Sequence, residues 1–153
     1  MQPQFTEQMT TPALVAPLTR PPFRILLVDD DFASRLVLQA FLSRYGECHI
    51  AANGAEAVAA FRAASDRGEP YNLVCMDVLM PELNGRDAVG QIRAYEEAQG
   101  IFSSSGAKIV MITQINCIKE VSRCFKQLCD VYLNKPIDFQ VLLNYMRHWR
   151  LVD

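Results

Sequence analysis

Short apolar runs predict the β-strands of this protein. The runs are continuous rather than alternating, which is typical of strands that are buried on both faces of a parallel sheet. They cover residues 24–28, 48–51, 73–76, 108–112 and 131–133. No hairpin signal joins one run to the next, so we expect each strand to return to the sheet through a crossover.

Segments with helical spacing follow each of these runs. We predict helices over residues 32–45, 55–64, 87–98, 118–128 and 138–149. In the first helix an apolar stripe is expected to face the core, formed by Val37, Leu38, Phe41, Leu42 and Tyr45. Gly46 and Gly100 are expected to end the first and third helices. The alternation predicts an α/β fold, a five-stranded parallel sheet with helices on both faces.

Residues 1–22 differ from the rest of the chain. They carry five of the eight prolines and show no clean period, so we predict a flexible N-terminal tail. The remaining residues, 23–153, are long enough to bury one core and show no internal repeat. We therefore expect one folded domain after the tail and no separate output domain.

Composition and charge exclude several classes of protein. The net charge is −2 and no run is rich in Lys or Arg, so we expect no DNA binding. No apolar stretch approaches the roughly 18 residues of a membrane span. The five cysteines lack Cys-x-x-Cys spacing, which favours reduced thiols and a cytoplasmic location over a disulfide or metal framework.

Polar side chains follow the predicted strands where those strands end. Asp29 and Asp30 follow the first strand, Asp77 the third, Thr113 the fourth and Lys135 the fifth. In a parallel sheet these ends share one edge, so we expect the five residues to converge on one crevice. Three crowded carboxylates need a cation, and a site of oxygen ligands suits Mg²⁺, or Mn²⁺ in its place. A phosphoryl group on Asp77 would fit beside the ion.

Four motifs carry a resemblance to a known family. They read VDD at 28–30, MDVLMPELNG at 76–85, VMIT at 110–113 and YLNKP at 132–136. In this order they resemble the receiver domain of two-component response regulators, as in chemotaxis-regulator-like single-domain proteins, over residues 23–149. The resemblance implies the flavodoxin-like (βα)5 receiver fold.

The resemblance also assigns roles at the crevice. Asp77 would be the phosphoacceptor for a phosphohistidine. Asp30, Asp77 and the main-chain carbonyl of Leu79 would bind Mg²⁺ directly, and Asp29 would act through water. Lys135 would pair with Asp77 and then with the phosphoryl group.

Further roles implied by the family concern the response to phosphorylation. Thr113 would turn inward to the phosphoryl oxygen, and Tyr132 would be the aromatic switch that follows it. The bond from Lys135 to Pro136 is expected to be cis, as in the family.

Two positions depart from the family pattern. Gln114 replaces a small residue after Thr113, and Leu79 replaces a side chain that is often polar. A long amide narrows access to the crevice, and an apolar group cannot orient a hydrolytic water. We therefore expect these two residues to modulate access and lifetime, with a long-lived phospho-Asp77.

Partners follow from the resemblance as well. A sensor histidine kinase or a histidine phosphotransfer protein would dock on the first helix near Leu36 and Ala40. Output would pass to an unknown downstream protein. On the last helix, Val141, Tyr145 and Trp149 form a second apolar edge that suits either the core, or the docking of a partner or a homodimer.

Alternative functions stay open on the sequence. The chain is expected to be a phosphoacceptor switch rather than an enzyme, at most catalysing its own phosphorylation and dephosphorylation. A receiver-like module that acts without phosphate is the main alternative, and Gln114 favours it. A haloacid-dehalogenase-type phosphatase is less favoured, because it needs a second Asp where this chain has Leu79.

Overall fold

The predicted strands form a single parallel sheet in the computed structural model, which describes residues 22–80, 83–102, 105–114 and 128–153. The sheet order is β2-β1-β3-β4-β5, and every neighbouring pair is parallel. The strands are β1 (Arg24–Val28), β2 (Glu47–Ala51), β3 (Leu73–Asp77), β4 (Lys108–Thr113) and β5 (Val131–Asn134). This arrangement confirms the predicted fold class.

Four helices lie in the described part of the chain. They are α1 (Phe32–Leu42), α2 (Gly54–Asp66), α3 (Gly85–Ala98) and α4 (Phe139–His148). Each begins at an Asp or Asn whose side chain accepts main-chain N–H groups of the first turn, at Asp31, Asn53, Asn84 and Asp138. These caps satisfy donors that have no partner within the helix, and so they fix where each helix starts.

The sheet separates two apolar layers. Alternate β1 side chains point to opposite faces, so Leu26 and Val28 pack with α2 and α3, whereas Ile25 and Leu27 pack with α1 and α4. Burial on both faces explains the continuous apolar runs of β1, β3 and β4. The edge strands β2 and β5 were also expected to be buried but are partly exposed, because each has a neighbouring strand on one side only. The polar residues that follow the strands are left at the carboxyl edge of the sheet.

The first helix is shorter than predicted and differs in its buried face. It ends at Leu42 rather than at residue 45, with Ser43 as its C-cap. Gly46 is needed for another reason, since a Cβ there would lie 2.4 Å from the Phe23 carbonyl oxygen. Val37 was expected in the core but is 56% exposed. The helix packs instead through Leu38 and Leu42.

Other expectations concern the ends of the chain and one internal helix. Gly100 has a φ of 76°, which matches its expected place after α3. The helix predicted over 118–128 lies outside the described residues except for Leu128, which is in a turn. The predicted tail, 1–22, also lies outside them except for residue 22. None of the described helices is long and apolar enough to cross a membrane.

Candidate functional site

The carboxyl edge of the sheet brings three carboxylates together. Asp29 follows β1 and Asp77 ends β3, and both are buried, whereas Asp30 is exposed. One oxygen of each lies within 4.8 Å of the others. The convergence expected from the sequence is therefore present for all three residues.

Lys135 bridges the two buried carboxylates. Its Nζ lies 3.2 Å from Asp29 Oδ2 and 3.4 Å from Asp77 Oδ2. The main-chain N–H of Lys135 donates to the Thr113 carbonyl at 2.9 Å, which extends the β4–β5 pairing by one step. The peptide bond from Lys135 to Pro136 is cis, as predicted. Strand pairing therefore aims the ammonium group into the crevice.

The backbone around Asp77 is held by α3. The N–H of Gly85 donates to the Val78 carbonyl at 3.0 Å. A Cβ on Gly85 would lie only 2.1 Å from the Asp77 carbonyl oxygen, so no larger residue fits without a shift of the backbone. The N–H of Leu79 donates to Asp77 Oδ1 at 3.3 Å. The Asn84-Gly85 turn thus places the start of α3 against the end of β3.

The charges in the crevice do not balance. Burial and the neighbouring Asp29 charge raise the pKa of Asp77 from 3.8 to about 6, and Lys135 opposes this only in part. Burial alone would lower the pKa of Lys135, but attraction to Asp77 and Asp29 outweighs burial and raises it. One ammonium group is shared by two buried carboxylates, with a third close by. The site has an excess of negative charge.

This donor set fits a hard divalent cation. Its ligand atoms are carboxylate oxygens, with no His or Cys in the cluster. Asp29 already accepts hydrogen bonds on both oxygens, from Lys135 and from the N–H of Asp31. Asp30 accepts none from the described residues and remains available. The crowding that raises the pKa of Asp77 is the condition that a bound cation would relieve.

The other predicted site residues lie around this cluster at different depths. Thr113 is 1% exposed, and its Oγ1 donates to the Gln114 carbonyl at 3.4 Å rather than to Asp77. Gln114 is exposed and lines a cavity of about 460 Å³ together with Asp29 and Lys135. Leu79 is 58% exposed. The structure thus brings Gln114 to the crevice and leaves the Leu79 side chain in solvent.

Tyr132 lies within β5. It is partly buried and packs against the core layer on the α2 and α3 side of the sheet. Its neighbour across the β4–β5 pair is Met111. The switch role predicted for Tyr132 stays a prediction.

The sequence reasoning missed one residue that contacts the acidic turn. Nη1 of Arg35 donates to the main-chain carbonyl of Asp29 at 2.7 Å. No motif marked this arginine, because its partner is a main-chain atom. Its place in the first turns of the helix that follows the acidic pair was the available signal.

One protein family matches most of the chain. Residues 25–147 match the response regulator receiver domain. The chain belongs to this family.

Individual relatives agree with this assignment. The sensor protein GacS of Pseudomonas syringae is 34% identical over 133 residues, which cover 87% of this chain and 14% of that protein. The chain therefore spans a small part of that relative. A chain in the complex of the Saccharomyces cerevisiae phosphotransfer protein Ypd1 with the Ssk1 receiver domain is similar with a TM-score of 0.68 and 28% identity, covering 86% of this chain and 90% of that one.

A second solved structure is a response regulator with a metal. TrrA of Thermotoga maritima, in complex with Mg²⁺ and BeF, has a TM-score of 0.65 and 28% identity to this chain. The match covers 83% of this chain and 98% of that one.

Proposed function

We propose that this receiver domain accepts a phosphoryl group on Asp77 from a histidine kinase or a histidine phosphotransfer protein. The observation that carries the proposal is the pair of buried carboxylates, Asp29 and Asp77, bridged by Lys135. Burying charged groups costs free energy, so such an arrangement favours a functional role. Asp77 supplies a nucleophile, and Lys135 supplies a cation for the incoming phosphoryl group. The similarity to the chain in the Ypd1–Ssk1 complex supports a phosphotransfer partner.

The transfer follows from the chemistry of Asp77. A carboxylate oxygen of Asp77 attacks the phosphorus of a phosphohistidine, the new O–P bond forms, and the P–N bond breaks. The electron pair of the broken bond stays on the imidazole nitrogen. Since its pKa is about 6, Asp77 is ionised at neutral pH yet more basic than an ordinary aspartate. Lys135 lies within reach of the added oxygens and balances their charge.

A divalent cation would be held at the acidic cluster. Asp30, Asp77 and the main-chain carbonyl of Leu79 would bind it, and Asp29 would act through water. Mg²⁺, or Mn²⁺, would supply positive charge to the phosphoryl oxygens. Asp77 attacks the phosphorus of the phosphohistidine, and Lys135 pairs with the phosphoryl group that results.

The signal would pass through Thr113 and Tyr132. Among the described residues, the one hydrogen bond that the Thr113 hydroxyl donates is long, 3.4 Å to the Gln114 carbonyl, so turning toward a phosphoryl oxygen gives up little there. Partly buried Tyr132 would then move inward and change the partner-binding face. Gln114 at the rim would narrow the access of water, and the apolar side chain of Leu79 cannot orient a hydrolytic water. Both effects favour a long-lived phosphoaspartate.

Partner surfaces are proposed on two helices. On α1, Leu36 is 53% exposed near the acidic turn, which suits docking of the kinase or phosphotransfer protein. On α4, Val141 is 38% exposed, whereas Tyr145 and Trp149 also pack against the core. A homodimer would therefore use a narrower edge than the sequence suggested. We further propose that residues 23–153 form the domain and that the protein acts in the cytoplasm.

Intact mass tests the phosphoacceptor. The protein is incubated with Mg²⁺ and a small phosphodonor, and separately with a histidine kinase and ATP. A gain of one phosphoryl group (about 80 Da, the mass of HPO₃) that is lost in Asp77→Asn supports the proposal. Asp31→Asn is the matched control, because Asp31 caps α1 and lies outside the cluster.

The same experiment separates the alternatives. Turnover of added phosphate esters would favour the haloacid-dehalogenase-type phosphatase. A wild-type protein that gains no mass from either donor, yet still binds a partner, would favour the phosphate-independent interaction module. The kinase arm is needed because Gln114, which lines the cavity with Asp29 and Lys135, would narrow access for small donors.

A further inference from the structure

One arginine holds the turn that carries the acidic pair. The guanidinium of Arg35 donates from Nη1 to the main-chain carbonyl of Asp29 at 2.7 Å, a charge-assisted bond in a partly buried setting. Its Cζ also lies 5.8 Å from the centroid of the Phe32 ring, which supports the guanidinium from the solvent side. Both contacts are made by the guanidinium group, which is held by one hydrogen bond and one aromatic ring.

The carbonyl that Arg35 holds belongs to the peptide unit between Asp29 and Asp30. Because a peptide unit is planar, fixing this carbonyl fixes the direction in which the chain continues to Asp30. The N–H of Asp29 donates to the Ala51 carbonyl at 3.3 Å, and Asp29 Oδ1 accepts the N–H of Asp31 at 2.9 Å. Arg35 supplies the one side-chain donor to the main chain of this turn among the described residues.

We propose that Arg35 is a positioning residue for the divalent cation site. By holding the peptide unit between Asp29 and Asp30, it keeps both carboxylates within 4.8 Å of that of Asp77. This inference rests on the proposed function and extends it to a residue outside the acidic cluster. Arg35 does not ligate the ion, since a guanidinium has only donors.

The direction of the effect distinguishes positioning from charge. Arg35 is a cation close to a cation site, so its charge alone opposes binding of Mg²⁺, and removing it should tighten binding. Its hydrogen bond orients the ligands, and removing an orienting group weakens metal affinity by about 10–100-fold. The two contributions have opposite signs. If Arg35 positions the ligands, a variant without its guanidinium binds Mg²⁺ more weakly. If only its charge matters, the same variant binds Mg²⁺ more tightly.

Titration calorimetry with MgCl₂ on the full chain tests the proposal. Arg35→Met keeps an unbranched aliphatic side chain and removes the donor together with the charge. Arg35→Lys keeps a donor and the charge on a side chain one atom shorter. Arg44→Met is the matched control, because the Arg44 guanidinium lies over the Phe41 ring and has no hydrogen bond within the described residues.

We expect Mg²⁺ affinity to fall at least about tenfold in Arg35→Met, about two- to threefold in Arg35→Lys, and less than twofold in Arg44→Met. Amide NMR spectra without metal establish that each variant is folded and report the shift of the Asp29–Asp31 signals. If Arg35→Met does not fold, the weaker binding of Arg35→Lys against Arg44→Met carries the test.

Two outcomes have different meanings. A folded Arg35→Met with unchanged or tighter Mg²⁺ binding would overturn the positioning role and leave the proposed function intact. A wild-type protein that binds no Mg²⁺ would overturn the cation site of the proposed function and this inference with it.

Discussion

Replacing Asp77 with asparagine should stabilise the folded domain when divalent cations are absent. Asp77 is buried, with 6% of the residue exposed, and its pKa rises from 3.8 to about 6 because of burial and repulsion by Asp29. The folded state therefore disfavours the ionised form that Asp77 adopts at neutral pH. Asparagine has nearly the same shape and carries no charge, so it removes this penalty.

The magnitude follows from the pKa of Asp77. A rise of the pKa from 3.8 to about 6 means that the ionised carboxylate destabilises the folded state by at most about 3 kcal/mol. The crevice is open to solvent, and screening lowers this bound to about 1–2 kcal/mol. We expect the free energy of unfolding of Asp77→Asn to exceed that of the wild type by this amount at pH 7.5.

The pH dependence of the difference is fixed by the sign of the shift. Between pH 4 and pH 6 the folded state keeps the proton on Asp77 while the unfolded chain releases it, so wild-type stability falls as pH rises. Below about pH 4 both states hold the proton and the difference disappears. The advantage of Asp77→Asn should therefore grow from pH 4 to pH 6 and then remain constant.

Urea unfolding in EDTA, followed by circular dichroism at several pH values, measures this difference. Asp30→Asn is the control, because Asp30 is exposed in the same cluster and its charge is already solvated. A variant Asp77→Asn that is less stable than the wild type, or whose advantage does not change with pH, would refute the reasoning.

Three further predictions concern packing, a buried ion pair and metal binding. Gly85→Ala should destabilise the domain by about 1–3 kcal/mol and impair phosphorylation, because its Cβ would lie 2.1 Å from the Asp77 carbonyl oxygen. Gly90→Ala has no atom within 4 Å of its Cβ and should stabilise α3 by up to about 1 kcal/mol. Equal effects of the two variants in urea unfolding would contradict the prediction. Arg93→Met should cost about 3–5 kcal/mol in the same assay, because it leaves the Glu96 carboxylate, 4% exposed, without its ion-pair partner; a loss below 1 kcal/mol would show that Glu96 finds other partners. Mg²⁺ at roughly ten times its dissociation constant should raise the free energy of unfolding by about 1.4 kcal/mol, and a rise that EDTA does not reverse would not come from the cation.

The strands and the acidic cluster were accessible from the sequence. Continuous apolar runs arise because parallel strands are covered on both faces, and this pattern needs no knowledge of the partners. Once the runs are known, the carboxyl ends share one edge, which places Asp29, Asp30 and Asp77 together. Capping residues such as Asp138 also act locally, through hydrogen bonds to the turn that follows them.

Tertiary structure decided which side chains are buried and what holds them. The helical period could not tell that Val37 lies in solvent, because the edge of an apolar stripe depends on the neighbour that packs beside it. Here that neighbour is α4, whose Phe139 ring stacks on Phe41 with centroids 4.6 Å apart. Gly46 is likewise required by a residue distant in sequence, since the carbonyl of Phe23, just before β1, leaves no room for a Cβ.

Some features of the crevice were likewise predictable from the sequence, and others depend on the tertiary structure. The sequence determined that carboxylates and a lysine would meet, because residue type and strand order are enough to place them. Only the tertiary structure decided that Asp29 and Asp77 are buried while Asp30 is exposed, and that Lys135 is shared between two of them. It also brought Arg35 to a main-chain carbonyl, a partner that no side-chain motif encodes. Burial and main-chain contacts depend on how distant segments pack, and these set the pKa of Asp77 and the orientation of its neighbours.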